Sequence, residues 1–302
     1  MEELFALLAP DFTPNLTGVV FYAVLVLLGT VIGLMAGFFG VGGGFLTVPL
    51  LNIILGIPYE IAAGSSLCFA LGTCASGFLR QASLHKVDFR AVACIAGGSI
   101  TGAVAGDIVQ DALIHSVAGG ERAVFTSIMH VLFLVLLSAT AVIILKKREA
   151  HAAAGSRTVL QRFTLGPSID LSHPGLDGVN LIGMIAAGFC IGILTGVMGI
   201  GGGVLMVPVL LVFVGLPADK ASGTSLGIIF LAALAGVVKK SLSSTPKISL
   251  PVTMALLAAS VIGVQIGIKL VQNFDTSRFR KYFSVIIFAA IVLILLDLAE
   301  VL

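Results

Sequence analysis

From Phe12 to Tyr59 the chain carries no Asp, Glu, Lys, Arg or His. One membrane crossing needs about 20 apolar residues, so this stretch is too long for a single helix. Further windows free of those five residue types run 61–79, 91–106, 178–218, 221–238, 248–268 and 282–296, and 123–145 is interrupted only by His130. Hydrophobic residues make up 58% of the chain and charged ones 11%, against about 25% charged in soluble domains. A water-soluble fold has no way to cover that apolar excess. The 302 residues allow roughly ten crossings joined by short loops. The bilayer is therefore the first partner.

The two longest windows each contain a glycine-rich interruption and a proline. They predict a helix, a break and a short helix, at 18–38 and 44–56, then at 179–198 and 203–215. A short member of about 13 residues reaches only ~20 Å, so whether it spans or re-enters stays open. Between the halves lies 146–178, the one long polar stretch, with Lys146, Lys147, Arg148, Arg157 and Arg162 against Glu149, Asp170 and Asp177. It reads as a flexible linker, and the positive-inside rule puts it in the cytoplasm. The expected organisation is a first transmembrane repeat at 18–145, this linker, and a second repeat at 179–297.

Counting crossings from the linker puts the 110–120 loop outside, the 80–90 and 272–281 loops inside, and both acidic termini outside. Residues 239–247, with Lys239, Lys240 and Lys247, go against the charge rule. The N-terminus lacks the basic region of a cleavable signal peptide, so the first span is expected to remain. A net charge of +2 with no water-exposed basic face argues against a nucleic-acid partner. Cys68, Cys74, Cys94 and Cys190 fall in apolar runs without metal-ligand spacing and read as small buried hydrophobes.

The chain also repeats itself. Residues 33–67 match 192–226 without a gap, with 16 identities in 35 positions. The match takes in Gly40-Val41-Gly42-Gly43-Gly44 against Gly199-Ile200-Gly201-Gly202-Gly203, the Gly56-Ile57-Pro58 turn against Gly215-Leu216-Pro217, and Gly64-Ser65-Ser66 against Gly223-Thr224-Ser225. Five crossings per half, an odd number, would invert one half relative to the other. Inverted repeats with glycine-interrupted short segments are a transporter pattern, with the site between the repeats near the midplane.

The glycine breaks are the first candidates for chemistry. In lipid, non-helical backbone survives only where it is buried in protein or lines a wet cavity. Each break opens a short helix, whose free N–H groups and positive dipole end suit an anion. Gly42, Gly43 and Gly44 with Gly201, Gly202 and Gly203 are the expected substrate contacts, and close helix packing is the competing reading. Gly98, Gly102 and Gly106 suit packing better. Ser65, Ser66, Thr224 and Ser225 offer hydroxyls to the same solute or to neighbouring helices. Arg80 and Lys239 end matching helices as vestibule charges or headgroup anchors. His130 is a candidate proton relay, while Gln265 and Asn52 are weaker intramembrane polar groups. No constellation of an enzyme active site, no metal site and no cofactor motif is found.

With these paired blocks in place, the sequence resembles the sulfite exporter TauE/SafE family from about Gly29 to Leu296. The resemblance implies an all-α polytopic transporter of small sulfur-containing anions in the cell membrane, such as sulfite or an organosulfonate. No carboxylate sits mid-span, so a coupled proton would ride on His130 or on the substrate. The expected function is export by alternating access. A permanently open anion channel is the alternative.

Overall fold

Stripes of glycine at every fourth residue set how the helices meet. The computed structural model describes residues 18–117, 122–146, 160, 167–171, 176, 178–242, 248–271 and 276–301. Among these, the helices are α1 (Gly18–Phe39), α2 (Gly44–Pro49), α3 (Tyr59–Ser83), α4 (Phe89–Val117), α5 (Arg122–Lys146), α6 (Leu181–Met198), α7 (Gly203–Val209), α8 (Ala218–Ser241), α9 (Leu250–Val271) and α10 (Thr276–Val301). Helices α1, α3, α4, α5, α6, α8 and α9 are long and apolar enough to cross a membrane; Gly44–Ile54, Gly203–Val214 and Lys281–Leu296 are shorter apolar helices. The chain is an all-α polytopic membrane protein.

Glycine stripes join α1 to α9 and α4 to α6. A Cβ at Gly33 would lie 2.6 Å from Ser260 Cα, and one at Gly29 or Gly37 would overlap the carbonyl of Leu256 or Val264. Likewise, Gly98, Gly102 and Gly106 press on the carbonyls of Ile185, Phe189 and Ile193, while Gly188, Gly192 and Gly196 press on Ile95, Ser99 and Ala103. Backbones this close exclude any larger residue, and dispersion contacts between them hold the pairs in lipid.

Partners rise together along both pairs, so α1 runs parallel to α9 and α4 to α6. Thr73 Oγ1 meets Ser260 Oγ at 2.9 Å and Gln265 Nε2 donates to Ser76 Oγ at 2.9 Å, which makes α3 parallel to α9. Gly227 lies beside Val92, and Lys240 beside Asp107, which makes α8 parallel to α4. Gly227 also lies beside Phe78, and Gly236 beside Leu67, so α3 and α8 are antiparallel. Helices α1, α3 and α9 thus point one way, and α4, α6 and α8 the other. The α3 and α8 pair is the most buried of the long helices, whereas Leu27, Ile262 and Phe288 turn outward, as a lipid-facing surface requires.

The short helices α2 and α7 each contain a proline, Pro49 and Pro208, and widen directly afterwards into a π turn, Leu50–Ile54 and Leu210–Val214. Proline removes one ladder donor and crowds the preceding turn, and the wider turn accommodates it.

Two expectations shift. The helix α4 runs on to Val117, so Asp111 lies within it, not in a loop at 110–120. The described part of the expected linker packs on the bundle. Ser168–Ile169 pairs antiparallel with Val179–Asn180, Leu160, Leu171 and Leu176 are buried, and Arg90 Nη1 donates to the Asp170 carbonyl at 2.7 Å. Residues 147–159, the acidic N-terminus and Lys247 lie outside the described residues.

Candidate substrate site

Helix α1 stops at Phe39 and α6 at Met198, in both cases where glycines take over. Gly43 and Gly202 precede the short helices with φ of 76° and 69°, a left-handed conformation that costs a side-chain-bearing residue about 1–2 kcal/mol. All residues from Gly40 to Gly44 and from Gly199 to Val204 are buried. The α2 ladder begins only when Leu46 and Thr47 donate to Gly43 O, both at 3.2 Å, and that of α7 when Met206 donates to Gly202 O at 3.1 Å. The N–H groups ahead of those residues stand outside the ladder, at the positive end of the short helix.

The two breaks touch. A Cβ on Gly44 would overlap the carbonyl of Ile200, and one on Gly203 would overlap that of Val41. Both breaks lie against the middle of the central pair: Gly42 beside Cys74 and Ile229, Gly201 beside Ala70 and Ile229. Gly42, Gly43, Gly44, Gly201, Gly202 and Gly203 are thereby brought together.

The four hydroxyl residues are fully buried around this junction. Ser66 Oγ donates to the Gly44 carbonyl at 3.2 Å, and Ser225 Oγ donates to the carbonyls of Gly40 and Ser222. Ser65 Oγ accepts the N–H of Ser249, and Thr224 Oγ1 accepts that of Asp88, each at 3.0 Å. One hydroxyl of each pair thus grips a break, and the other ties the loop that starts α9 or α4. Asp88 in turn caps α4, its Oδ1 accepting from Arg90 N at 3.1 Å and Ala91 N at 3.0 Å.

The other candidates stand apart from the junction. Arg80 is exposed on the last turn of α3, Lys239 is half-buried on that of α8, and His130 is buried in α5. Asn52 Nδ2 donates to Ile57 O at 2.8 Å and serves the turn after α2. Among the described residues, no group of three His, Cys, Asp or Glu stands ready to hold a metal ion.

A family model described as sulfite exporter TauE/SafE matches residues 25–294. The chain belongs to the sulfite exporter TauE/SafE family. It is similar to a probable membrane transporter protein of Methanocaldococcus jannaschii, 25% identical over 278 residues that cover 87% of this chain and 91% of that one. A second relative, the probable membrane transporter protein YunE of Bacillus subtilis, is 26% identical over 282 residues, 91% of this chain and 95% of its own. A shorter match of 105 residues, 37% identical, links 34% of this chain to 38% of a probable membrane transporter protein of Haemophilus influenzae. No solved structure matches the chain. It is a multi-pass membrane transporter of the TauE/SafE family.

Reading the sequence by its charge-free windows missed a buried ion pair of this TauE/SafE-family transporter. Asp107 lies inside α4, and Lys240 Nζ sits 2.6 Å from its Oδ1, with side chains 3% and 1% exposed. Lys240 Nζ also donates to Gln110 Oε1 at 2.6 Å. The absence of a carboxylate within a span is therefore corrected. Ending a window at the first charge hides any charge that a helix carries onward. The usable signal was spacing: Gln110 continues the four-residue stripe of Gly98, Gly102 and Gly106. Tyr59 was also missed; its hydroxyl donates to the Met198 carbonyl at 3.0 Å, at the end of α6.

Proposed function

We propose that this transporter moves a small sulfur-containing anion, sulfite or an organosulfonate, out across the cytoplasmic membrane by alternating access. Two inverted five-segment repeats, 18–145 and 179–297, hold the anion between the glycine breaks, with both chain termini outside. Inversion is supported by the opposed directions of α1 and α6, and of α3 and α8. The sulfur anion is supported by the family's description.

The observation that carries the site is the meeting of two buried breaks, each opening a helix whose first N–H groups stay outside the ladder. An oxyanion there takes hydrogen bonds from both short helices without a cationic side chain. Ser65, Ser66, Thr224 and Ser225 close the sides. The backbone contact between Gly44 and Ile200, and between Gly203 and Val41, leaves an anion no room until the breaks part. A movement of one half against the other supplies that room, and a permanent pore does not need it.

The test is flux of radiolabelled sulfite, sulfate, thiosulfate and sulfoacetate into proteoliposomes. Saturable flux of a sulfur anion, accelerated by the same anion on the far side, is the expected result. Flux that rises linearly with concentration and shows no such acceleration would mean a channel.

A further inference from the structure

Among the described residues, one end of the central helix pair holds buried polar side-chain atoms that bond to nothing. Gln81 lies in the last turn of α3 and Ser222 near the start of α8, both fully buried. Neither Nε2 nor Oε1 of Gln81 has a hydrogen-bond partner there, and neither does Ser222 Oγ. Buried polar groups find partners in the great majority of cases, because an unpartnered one destabilises the fold.

Ser222 borders the first glycine break, and Gln81 packs one residue further along α8. A Cβ built on Gly40 would lie 2.7 Å from Ser222 Oγ, and one built on Gly223 would lie 3.1 Å from Gln81 Cβ. Ser225 donates to the Gly40 carbonyl and holds the break against this part of α8. The other half does not repeat these groups. The position matching Ser222 is Ala63, against which Gly199 packs, and the position matching Gln81 is Lys240, which is paired with Asp107. Packing at a break therefore requires no more than a methyl group, and the Ser222 hydroxyl is additional to it.

On the proposed topology the loop after α3 is cytoplasmic, so an exported solute enters at this end. Arg80, Lys86, Arg90 and Lys220 stand here against Asp88 and Asp219, an excess that draws anions. Asp88 Oδ1 is already bound by the N–H groups of Arg90 and Ala91, and Lys86 Nζ lies 3.8 Å from Asp219. The Ser222 hydroxyl and the N–H bonds of Gln81 Nε2 can donate to an oxyanion, whereas Gln81 Oε1 can only accept. A plain oxyanion leaves that acceptor unpaired. An anion that also carries a hydroxyl satisfies both halves of the amide.

We propose that Gln81 and Ser222 form an entry subsite that selects small sulfonates bearing a hydroxyl group. When the first break moves away from α8, the space that Gly40 closes opens beside Ser222. Gln81 Nε2 and Ser222 Oγ then donate to the sulfonate, and Gln81 Oε1 accepts the substrate hydroxyl. The anion passes from there to the junction of the two breaks. A site built to bond a substrate hydroxyl rejects the analogue without it, because the site's own group stays unpaired.

This inference rests on the anion-transport reading, and the experiment keeps the two apart. Inside-out membrane vesicles from cells making the full-length protein turn its cytoplasmic face to the medium, so uptake into them corresponds to export. Radiolabelled sulfite, isethionate and ethanesulfonate are supplied, with vesicles from cells lacking the protein as background. The two sulfonates are monoanions of similar size that differ by one hydroxyl. Wild type is expected to favour isethionate about tenfold or more in kcat/KM. Gln81→Met removes both amide halves at similar length and should bring that ratio to about one. It should also melt at the wild-type temperature or above, since an apolar chain replaces an unpartnered amide. Ser222→Ala should raise KM for both sulfonates about threefold or more and keep their ratio. If none of the three anions enters above background, the transport reading fails and takes the subsite with it. If sulfite enters while the two sulfonates enter equally or not at all, the hydroxyl selectivity alone is overturned. A wild-type ratio in Gln81→Met, whatever its melting temperature, overturns the role of Gln81, and an unchanged KM in Ser222→Ala overturns that of Ser222. The wild-type ratio and the Ser222→Ala values decide the matter even where Gln81→Met fails to fold.

Discussion

Asp88 donates its backbone N–H to the Oγ1 of Thr224, 3.0 Å away and 136 positions along the chain. The other half repeats the arrangement, with Ser249 N–H on Ser65 Oγ at 3.0 Å. In each case a hydroxyl in the central helix pair fixes the start of a helix that runs beside it. The residues expected to close the sides of the substrate site are also the ones that hold its walls.

Thr224→Val removes that oxygen with little change in shape and leaves the buried Asp88 N–H without an acceptor. An orphaned buried donor costs about 1–3 kcal/mol. The variant should melt several degrees lower in detergent while still reaching the membrane, and Ser65→Ala should do the same through Ser249. An unchanged melting temperature in both would show that these hydroxyls contribute nothing to the loops.

The glycine breaks carry the substrate reading. Gly43→Ala must hold φ near 76° and bring its Cβ to 2.5 Å from Ile32 Cγ2; Gly202→Ala overlaps Thr195 Oγ1 at a φ of 69°. Both displace N–H groups that the anion needs. One or two charge-assisted hydrogen bonds, at about 1.5–3 kcal/mol each, correspond to binding weakened about tenfold or more. Substrate-dependent thermal shift with sulfite measures it. Wild-type shifts in both variants would return these glycines to packing.

The all-α polytopic character was legible in the amino-acid sequence. Charge-free windows marked the seven long apolar helices, and the glycine runs marked where α1 and α6 stop, because lipid forbids charge and irregular backbone for one shared reason: neither finds water there. The Lys240–Asp107 pair was not legible by that rule, since two opposite charges that cancel inside a bundle read as two loop edges. Nor was the fold of Leu160, Leu171 and Leu176 onto the helices, where a polar stretch hides a few apolar anchors. The separate roles of Ser65 and Ser66 depend on which face each presents, and adjacent residues on a helix point in different directions.

The glycine seam offers a matched comparison on one helix. A Cβ added at Gly97 would meet nothing within 4 Å, whereas one at its neighbour Gly98 would run into the Ile185 carbonyl. Gly97→Leu should therefore fold, reach the membrane and elute as a single species. Gly98→Leu and Gly102→Leu should drive α4 from α6, and little monodisperse protein should be recovered. Equal recovery of all three would show that the seam tolerates separation.

The last prediction concerns the termini. Gly37 of α1 and Gly77 of α3 both lie against Val264 of α9, and α1 and α3 run in the same direction. Helix α1 ends two residues past Gly37, while α3 starts at Tyr59, about 27 Å back along its axis at 1.5 Å per residue. Residues 40–58 have that distance to recover, and on the proposed topology α2 with its π turn carries the chain back through the bundle. On that topology each half crosses an odd number of times, and the chain ends on the side where it began. The discordant loop at 239–247 also loses weight, since the charge of Lys240 is cancelled by Asp107 and never faces water. With the linker in the cytoplasm, a reporter active only in the cytoplasm and fused after Leu302 should give little signal, while the same reporter inserted at Arg157 should give a strong one. Strong activity at both positions would mean that α2 and α7 return to the side they left.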